Sequence, residues 1–494
     1  MDIAVLIFLT SGLFLGWSLG ANDAANVFGT AVGTRMIRFT TAAAICGIFV
    51  ILGAVISGAG AAHTLGRLGS VNALAGSFMA AFSAGLAVYV MTKFGLPVST
   101  TQAIVGAIIG WSLFSETLTD TNAMTKILAT WVVSPLLAAV IAILLFKLVT
   151  RVLRISKLHI LRTDAYTRLG LVFAGAFGAY SLGANNIGNV MGVFISSSPF
   201  TDFSIAGLVN FSSVQQLFLL GGLAIAVGVM TYSKRVMLTV GGGLMPLSPV
   251  AAWVVVMAHS IVLFLFASQG LERILASYGL PTIPLVPVSS SQAVIGAVLG
   301  IGLLKGGRGL RTRVLGVIGA GWVLTPIIAG VVCLVGLFVM QNVFNQQVYR
   351  PVAYQISQPV IDRLAAAGMA PGAISGLEGK RFASAVRFKR ALDAKEGLGP
   401  EDKARLITYA ELDEMTVDAV RIGLVETGWL TIGQTRALRR LLGRTYPRKW
   451  MLAEALIGES AGWKPLADSK VNKAYNKELR GKLDFLYRTF RTAR

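Results

Sequence analysis

One carboxylate of this 494-residue chain lies in a polar motif between apolar segments: Asp23, in the stretch Ser18–Thr30 that reads SLGANDAANVFGT. An ionised carboxylate at membrane depth costs about 3 kcal/mol, so it is expected to face a cavity or a cation. Asn22 and Asn26 flank it, and Gly20 favours a helix break. Carboxylate, amide and freed carbonyl oxygens together suit a hard cation such as Na⁺. The motif therefore predicts a site for a coupling cation or proton, and the alternative is that Asp23 caps a helix at a break.

Two further segments start with proline and continue with hydroxyl side chains: PVSTTQ from Pro97 and PVSSSQ from Pro287. Proline is tolerated in the first turn of a helix, and serine or threonine caps its free NH groups. A helix N-terminus attracts anions through those NH groups and its dipole. Alternatively, the hydroxyls bond back to their own helices. The segments predict two helix starts that bind one tetrahedral oxyanion through Ser99, Thr100, Thr101, Gln102, Ser289, Ser290, Ser291 and Gln292.

The chemistry-bearing motifs occur twice, in the same order. Ser181–Val193 (SLGANNIGNVMGV) matches Ser18–Thr30 at eight of thirteen positions, and Pro287–Gly300 matches Pro97–Gly110 at eight of fourteen. A third pair follows, WVVSP from Trp131 and WVLTP from Trp322. The order indicates a duplication, with repeat 1 at 1–150, a basic linker at 151–166 and repeat 2 at 167–342. Repeat 2 offers Asn185, Asn186 and Asn189 as further cation ligands.

Composition places these repeats in a membrane. The chain is 54% hydrophobic and 14% charged, with a mean hydropathy of +0.69, which is outside the usual range of soluble proteins. Sixteen of the 23 acidic residues lie after residue 345. We therefore expect an all-α polytopic membrane domain with five or six segments per half, including half-helices or re-entrant hairpins at the midplane. A soluble, mostly helical tail of unknown role follows at 345–494.

Loop charge predicts the orientation. The inter-repeat linker carries an excess of lysine and arginine, which favours the cytoplasmic side. Each half then crosses the membrane an odd number of times, so the halves are inverted relative to each other, as in many secondary transporters. The same count puts the N-terminus and the tail on the outer, periplasmic side of an inner membrane.

Other classes of function are disfavoured. The net charge of +21 is explained by loop charge and lipid headgroups, so no nucleic-acid partner is expected. The two cysteines build neither a disulfide framework nor a metal set. No catalytic constellation is legible in the membrane domain, so we predict no enzyme and no organic cofactor. His63, His159 and His259 lie outside every motif and are interpreted as loop or core residues.

The motifs GANDAANVFGT and PVSTTQ resemble those of the PiT family of inorganic phosphate transporters, over about residues 1–342. The resemblance implies an inverted-repeat fold and cation-coupled uptake of phosphate. It implies that the Ser/Thr segments hold phosphate. It assigns Na⁺ to Asn22, Asp23, Asn26, Asn185, Asn186 and Asn189.

The chain departs from the family pattern at three places. Asn186 replaces a second Asp, Gln102 and Gln292 stand where His is common, and the tail is not part of the usual core. The first departure leaves H⁺ coupling open and makes sulfate the alternative substrate. A rival from another class is a membrane receptor or scaffold that acts through the tail. The expected partners are the lipid bilayer and the anion, and the chain could also pair with a second copy of itself as a homodimer.

Overall fold

The computed structural model describes residues 3–492 except 69–70, 199, 201–202, 206–208, 243, 308, 367, 370, 396, 426–429, 468 and 470–471. Helices dominate both repeats, as the apolar composition requires. Repeat 1 contains α1 (Ile3–Gly33), α2 (Phe39–Ser57), α3 (Ala59–Leu68), α4 (Leu74–Lys93), α5 (Thr100–Phe114) and α6 (Thr121–Ser156). Repeat 2 contains α7 (Ile160–Met191), the strands β1 (Phe203–Ile205) and β2 (Val209–Phe211), and helices α8 (Ser213–Tyr232), α9 (Lys234–Gly242), α10 (Pro249–Ala267), α11 (Gln269–Ser277), α12 (Ser290–Leu304) and α13 (Thr312–Asn342).

Among the described residues, seven helices are long and apolar enough to cross a bilayer: α1, α2, α4, α6, α8, α10 and α13. The expectation of an all-α polytopic membrane protein is confirmed. Helices α5 and α12 are apolar but shorter, and both begin at the hydroxyl segments. The predicted basic linker 151–166 is largely helical, because α6 continues to Ser156 and α7 begins at Ile160.

The two repeats interlock through their short helices. α5 packs on α13, the last helix of the other repeat, and α12 packs on α6 in the same way. Glycines permit both contacts: a Cβ atom at Gly106 would collide with the carbonyl of Pro326, and one at Gly296 with the carbonyl of Pro135. Each hydroxyl segment is thus carried by one repeat and supported by the other.

The tail folds around two hydrophobic clusters of its own. Its elements are β3 (Ala353–Gln355), α14 (Gln358–Ala366), β4 (Arg381–Phe382), α15 (Ala385–Asp393), α16 (Pro400–Ala410), β5 (Glu411–Leu412), β6 (Met415–Thr416), α17 (Ala419–Val425), α18 (Ile432–Arg440), β7 (Thr445–Tyr446), α19 (Lys449–Glu459) and α20 (Lys473–Phe490). The strands form a three-stranded antiparallel sheet in the order β4-β3-β5 and an antiparallel pair, β6-β7.

The tail is attached to the membrane domain close to the end of α5. The Trp111 indole NH donates to the carbonyl oxygen of Val348 (3.0 Å). One turn further on, Glu116 accepts from the hydroxyl of Ser384 (2.7 Å) and from Nε of Arg387 (3.0 Å). A cavity of about 1130 Å³ lies between the two parts and is lined by both. The tail therefore covers one face of the membrane domain and holds the far end of a hydroxyl-bearing helix.

The attachment through Glu116 should depend on pH. Hydrogen bonds from Arg387 and Ser384 lower the pKa of the Glu116 carboxyl. A lowered pKa means that the contact is fully present above the ordinary pKa of a glutamate and is lost as the pH falls through the lowered value. We expect Glu116→Gln, or acidification through the lowered pKa, to raise hydrogen exchange at 384–387, corrected for the intrinsic rate at each pH, roughly two- to fivefold, the range of an exposed pair.

The matched control is Asp164→Asn, which removes an exposed pair with Arg168 on α7. It should leave exchange at 384–387 unchanged. Equal exchange in Glu116→Gln and the unaltered chain would show that Glu116 does not hold the tail.

Candidate functional site

The backbone before each short helix is held by an asparagine of the Gly-Ala-Asn motif. Asn22 on α1 donates from Nδ2 to the carbonyl oxygen of Leu96 (2.9 Å) and accepts at Oδ1 from the NH of Val98 (3.1 Å). Asn185 on α7 donates to the carbonyl oxygen of Val288 (2.9 Å) and accepts from its NH (3.2 Å). Both clamps satisfy backbone groups that no helix pairs. Asn22 and Asn185 therefore position the two helix starts.

Both short helices have the predicted serine caps. Ser99 Oγ accepts from the backbone NH of Gln102 (3.2 Å), and Ser289 Oγ accepts from that of Gln292 (3.3 Å). The first-turn NH groups of any helix have no partner within it. The caps satisfy one NH group at each start and leave others for a ligand, as an anion site requires.

The two helix starts meet, each with an asparagine from the other repeat. Asn26 Nδ2 on α1 donates to Ser290 Oγ of α12 (3.0 Å), and Asn189 Nδ2 on α7 donates to Thr101 Oγ1 of α5 (2.8 Å). The Thr101 hydroxyl donates in turn to the carbonyl oxygen of Val288 (3.3 Å). Hydroxyls almost 200 residues apart in the sequence are thus brought into one cluster.

Several buried oxygens of this cluster have no hydrogen-bond partner. Thr100 lies beside Asp23, yet neither Asp23 Oδ1 nor Thr100 Oγ1 makes a hydrogen bond within the described part of the chain. A buried unpaired polar atom costs about 1–3 kcal/mol. A bound cation would satisfy such oxygens, so the residues present fit Na⁺. The same condition holds for Asn26 Oδ1, Asn189 Oδ1, Gln102 Oε1 and Gln292 Oε1.

Asn186, which stands opposite Asp23 in the repeat alignment, is satisfied internally. Its Oδ1 accepts from Asn189 Nδ2 (2.9 Å), and its Nδ2 donates to the carbonyl oxygen of Leu182 (3.2 Å). Of the six residues assigned to the cation, only Asp23, Asn26 and Asn189 have a side-chain oxygen without a partner in the described chain. The two repeats are therefore alike in backbone arrangement and unlike in charge.

One residue outside both motifs contacts the hydroxyl cluster. His259 on α10 is fully buried, and its Nε2 lies 2.9 Å from Ser290 Oγ. The sequence interpretation of His259 as a loop or core residue agrees with this burial, and its contact with Ser290 was not expected. A lone histidine in an apolar span is itself a signal of function, but only the fold shows which hydroxyl it meets. His159 caps α7, and the side chain of His63 lies outside the described residues.

The hydroxyl cluster is enclosed. None of Ser99, Thr100, Thr101, Ser289, Ser290 and Ser291 is more than 2% exposed, and Gln102 and Gln292 reach only 2% and 5%. None of the eight lines the cavity beneath the tail. The cluster is therefore an enclosed polar site between the starts of α5 and α12.

Interlocked helical repeats with polar helix starts between them are typical of polytopic membrane transporters. A family model described as the phosphate transporter family matches residues 19–333 and again 280–374. The chain therefore belongs to the phosphate transporter family, a family of transporters and not of enzymes.

Individual relatives agree with this assignment. A protein named as a phosphate permease in Pyrococcus abyssi is 27% identical over 407 residues, covering 67% of this chain and 96% of its own. A similarly named protein of Haemophilus influenzae is 22% identical, with coverage of 69% and 98%. The fold is similar to that of a solved sodium-dependent phosphate transporter, with a TM-score of 0.54 and 23% identity over 69% of this chain and 99% of that one. Residues after 374 lie beyond the family match.

Proposed function

We propose that the chain is a secondary active transporter that takes up inorganic phosphate together with Na⁺ by alternating access. The observation that carries the proposal is the meeting of two capped helix starts, each bonded to an asparagine of the opposite repeat, with unpartnered oxygens around them. Family membership supports phosphate as the substrate. The inverted arrangement of the repeats, with the tail and the N-terminus on the outer side, is part of the same proposal.

The helix starts supply the binding energy for the oxyanion. First-turn NH groups and hydroxyls donate hydrogen bonds, and both helix dipoles favour negative charge. No lysine or arginine belongs to the proposed set, so the anion is held by dipoles and hydrogen bonds. A doubly charged oxyanion therefore needs a compensating cation nearby. That need couples the anion to the ion gradient.

The cation belongs on the side of Asp23. Na⁺ would be held by Asp23, Asn26 and Asn189, whose oxygens lack partners, and Asn22, Asn185 and Asn186 would act as their positioning neighbours. The bound ion supplies positive charge and satisfies desolvated oxygens. Proton coupling would use the same carboxylate, with a proton on Asp23 in place of the ion.

Uptake of labelled phosphate into proteoliposomes tests the proposal, with the Na⁺ and pH gradients imposed separately. We expect an inward Na⁺ gradient to raise the initial rate at least about tenfold, and a hundredfold excess of sulfate to lower it less than twofold. Uptake driven by the pH gradient alone would identify H⁺, and not Na⁺, as the coupling ion. Strong competition by sulfate would reassign the substrate, and uptake of neither anion would favour a receptor or scaffold.

A further inference from the structure

Ser290 receives two polar side chains in a fully buried setting. Asn26 Nδ2 donates to its hydroxyl oxygen (3.0 Å), and Nε2 of His259 lies 2.9 Å from the same atom. The other ring nitrogen, Nδ1, is buried without a partner among the residues that the structure describes. A histidine that served only packing would be expected to pair both nitrogens, because each unpaired one costs free energy.

Whether the Ser290 hydroxyl can donate a hydrogen bond to a ligand depends on which neighbour its single hydrogen already serves. A hydroxyl has one hydrogen and two lone pairs, and the amide of Asn26 occupies one lone pair. If Nε2 of His259 accepts the hydroxyl hydrogen, Ser290 has none left for an anion. If Nε2 instead carries a proton and donates to the second lone pair, the hydrogen of Ser290 is free to point at the anion.

The other repeat lacks this freedom. Thr101 also receives an asparagine amide, from Asn189, but its own hydrogen is donated to the carbonyl oxygen of Val288. The hydroxyl hydrogen of Thr101 is therefore already used in a bond to the backbone and is not free for an anion. The asymmetry makes Ser290 the hydroxyl whose donor capacity is under the control of a neighbouring side chain.

We infer that His259 is a positioning residue of the oxyanion site: by donating from Nε2 to Ser290, it turns the Ser290 hydroxyl into a donor for the bound anion. This inference rests on the proposed function and adds to it a residue outside both motifs. The ring acts through Ser290, so its loss should weaken anion binding and not the later steps of the cycle.

The test is the apparent KM for phosphate in proteoliposomes. His259→Leu removes the donor, and we expect KM to rise at least about tenfold, the effect of one lost bond to an anion, with the maximal rate within about threefold. His259→Gln keeps an amide donor and should recover part of the affinity. The matched control is Ser260→Ala, the next residue of α10, whose hydroxyl bonds to the backbone carbonyl oxygens of Val256 (2.6 Å) and Ala174 (3.4 Å) and not to a hydroxyl of the cluster. Its KM should not change.

A double-mutant cycle with Ser290→Ala separates this role from general packing. Once Ser290 is alanine, His259→Leu should change KM less than about twofold. The inference is overturned if His259→Leu alone leaves KM within twofold, or if its full effect persists beside Ser290→Ala. Should the leucine variant fail to fold, His259→Gln in the same cycle decides by the same criteria. Absence of phosphate uptake by the unaltered chain would instead refute the proposed function.

Discussion

Replacing Asp23 by Asn is expected to reduce gradient-driven phosphate uptake at least about 100-fold, because it removes the one carboxylate among the residues assigned to the cation. The two side chains have nearly the same shape, and Asp23 Oδ1 makes no hydrogen bond within the described chain that the change would break. Folding should therefore survive. The measurement is the initial rate of uptake under an inward Na⁺ gradient, normalised to monodisperse protein.

The matched control is the same chemical change outside the site, Asp164→Asn. It affects an exposed ion pair with Arg168 on α7. We expect uptake to persist in this variant. Unaltered uptake in Asp23→Asn would show that the coupling cation does not bind at this motif.

The second large effect is expected at the clamp in repeat 2. Asn185→Ala leaves the NH group of Val288 unpaired, whereas the carbonyl oxygen of Val288 loses one of two donors and keeps the Thr101 hydroxyl. A buried unpaired NH group costs about 1–3 kcal/mol, so the variant should lose a few degrees of Tm. Its phosphate uptake should fall at least about tenfold, because the start of α12 is no longer held. Thermal unfolding in detergent and uptake measure the two effects.

Asn342→Ala is the control for the clamp, since Asn342 is exposed and, in the part of the chain that the structure describes, its amide donates to the carbonyl oxygen of Phe338 on its own helix. It should change neither quantity. An unchanged Tm in Asn185→Ala, together with an altered dependence on Na⁺, would make Asn185 a direct cation ligand and not a clamp.

Local rules were sufficient to predict the helix starts. Ser99 and Ser289 cap α5 and α12 because proline, a small hydroxyl residue and an apolar run are adjacent in the sequence. The polytopic helical fold follows in the same way from apolar run length. These features depend on neighbours within a few positions, where sequence patterns are most informative.

Long-range contacts were beyond the same rules. Asn26 contacts Ser290 across 264 positions of the sequence. The motif predicted oxygen ligands, but it did not predict which asparagines would instead bind the backbone, as Asn22 and Asn185 do. His259 lies 31 positions before its hydroxyl partner, on a helix whose periodicity says only that it is buried. The attachment of the tail at Trp111 and Glu116 could not be predicted either, because no sequence pattern around these two residues indicates their partners in the tail.

That attachment has a thermodynamic consequence. The tail is bound to the far end of α5 through Trp111 and Glu116. A domain that is unchanged after each turnover adds nothing to the overall free energy of exchange, so it leaves the attainable accumulation ratio untouched. It can shift the time that the carrier spends facing each side. In the proposed alternating-access cycle, a tail bound at one end of α5 would give the empty carrier a preferred orientation.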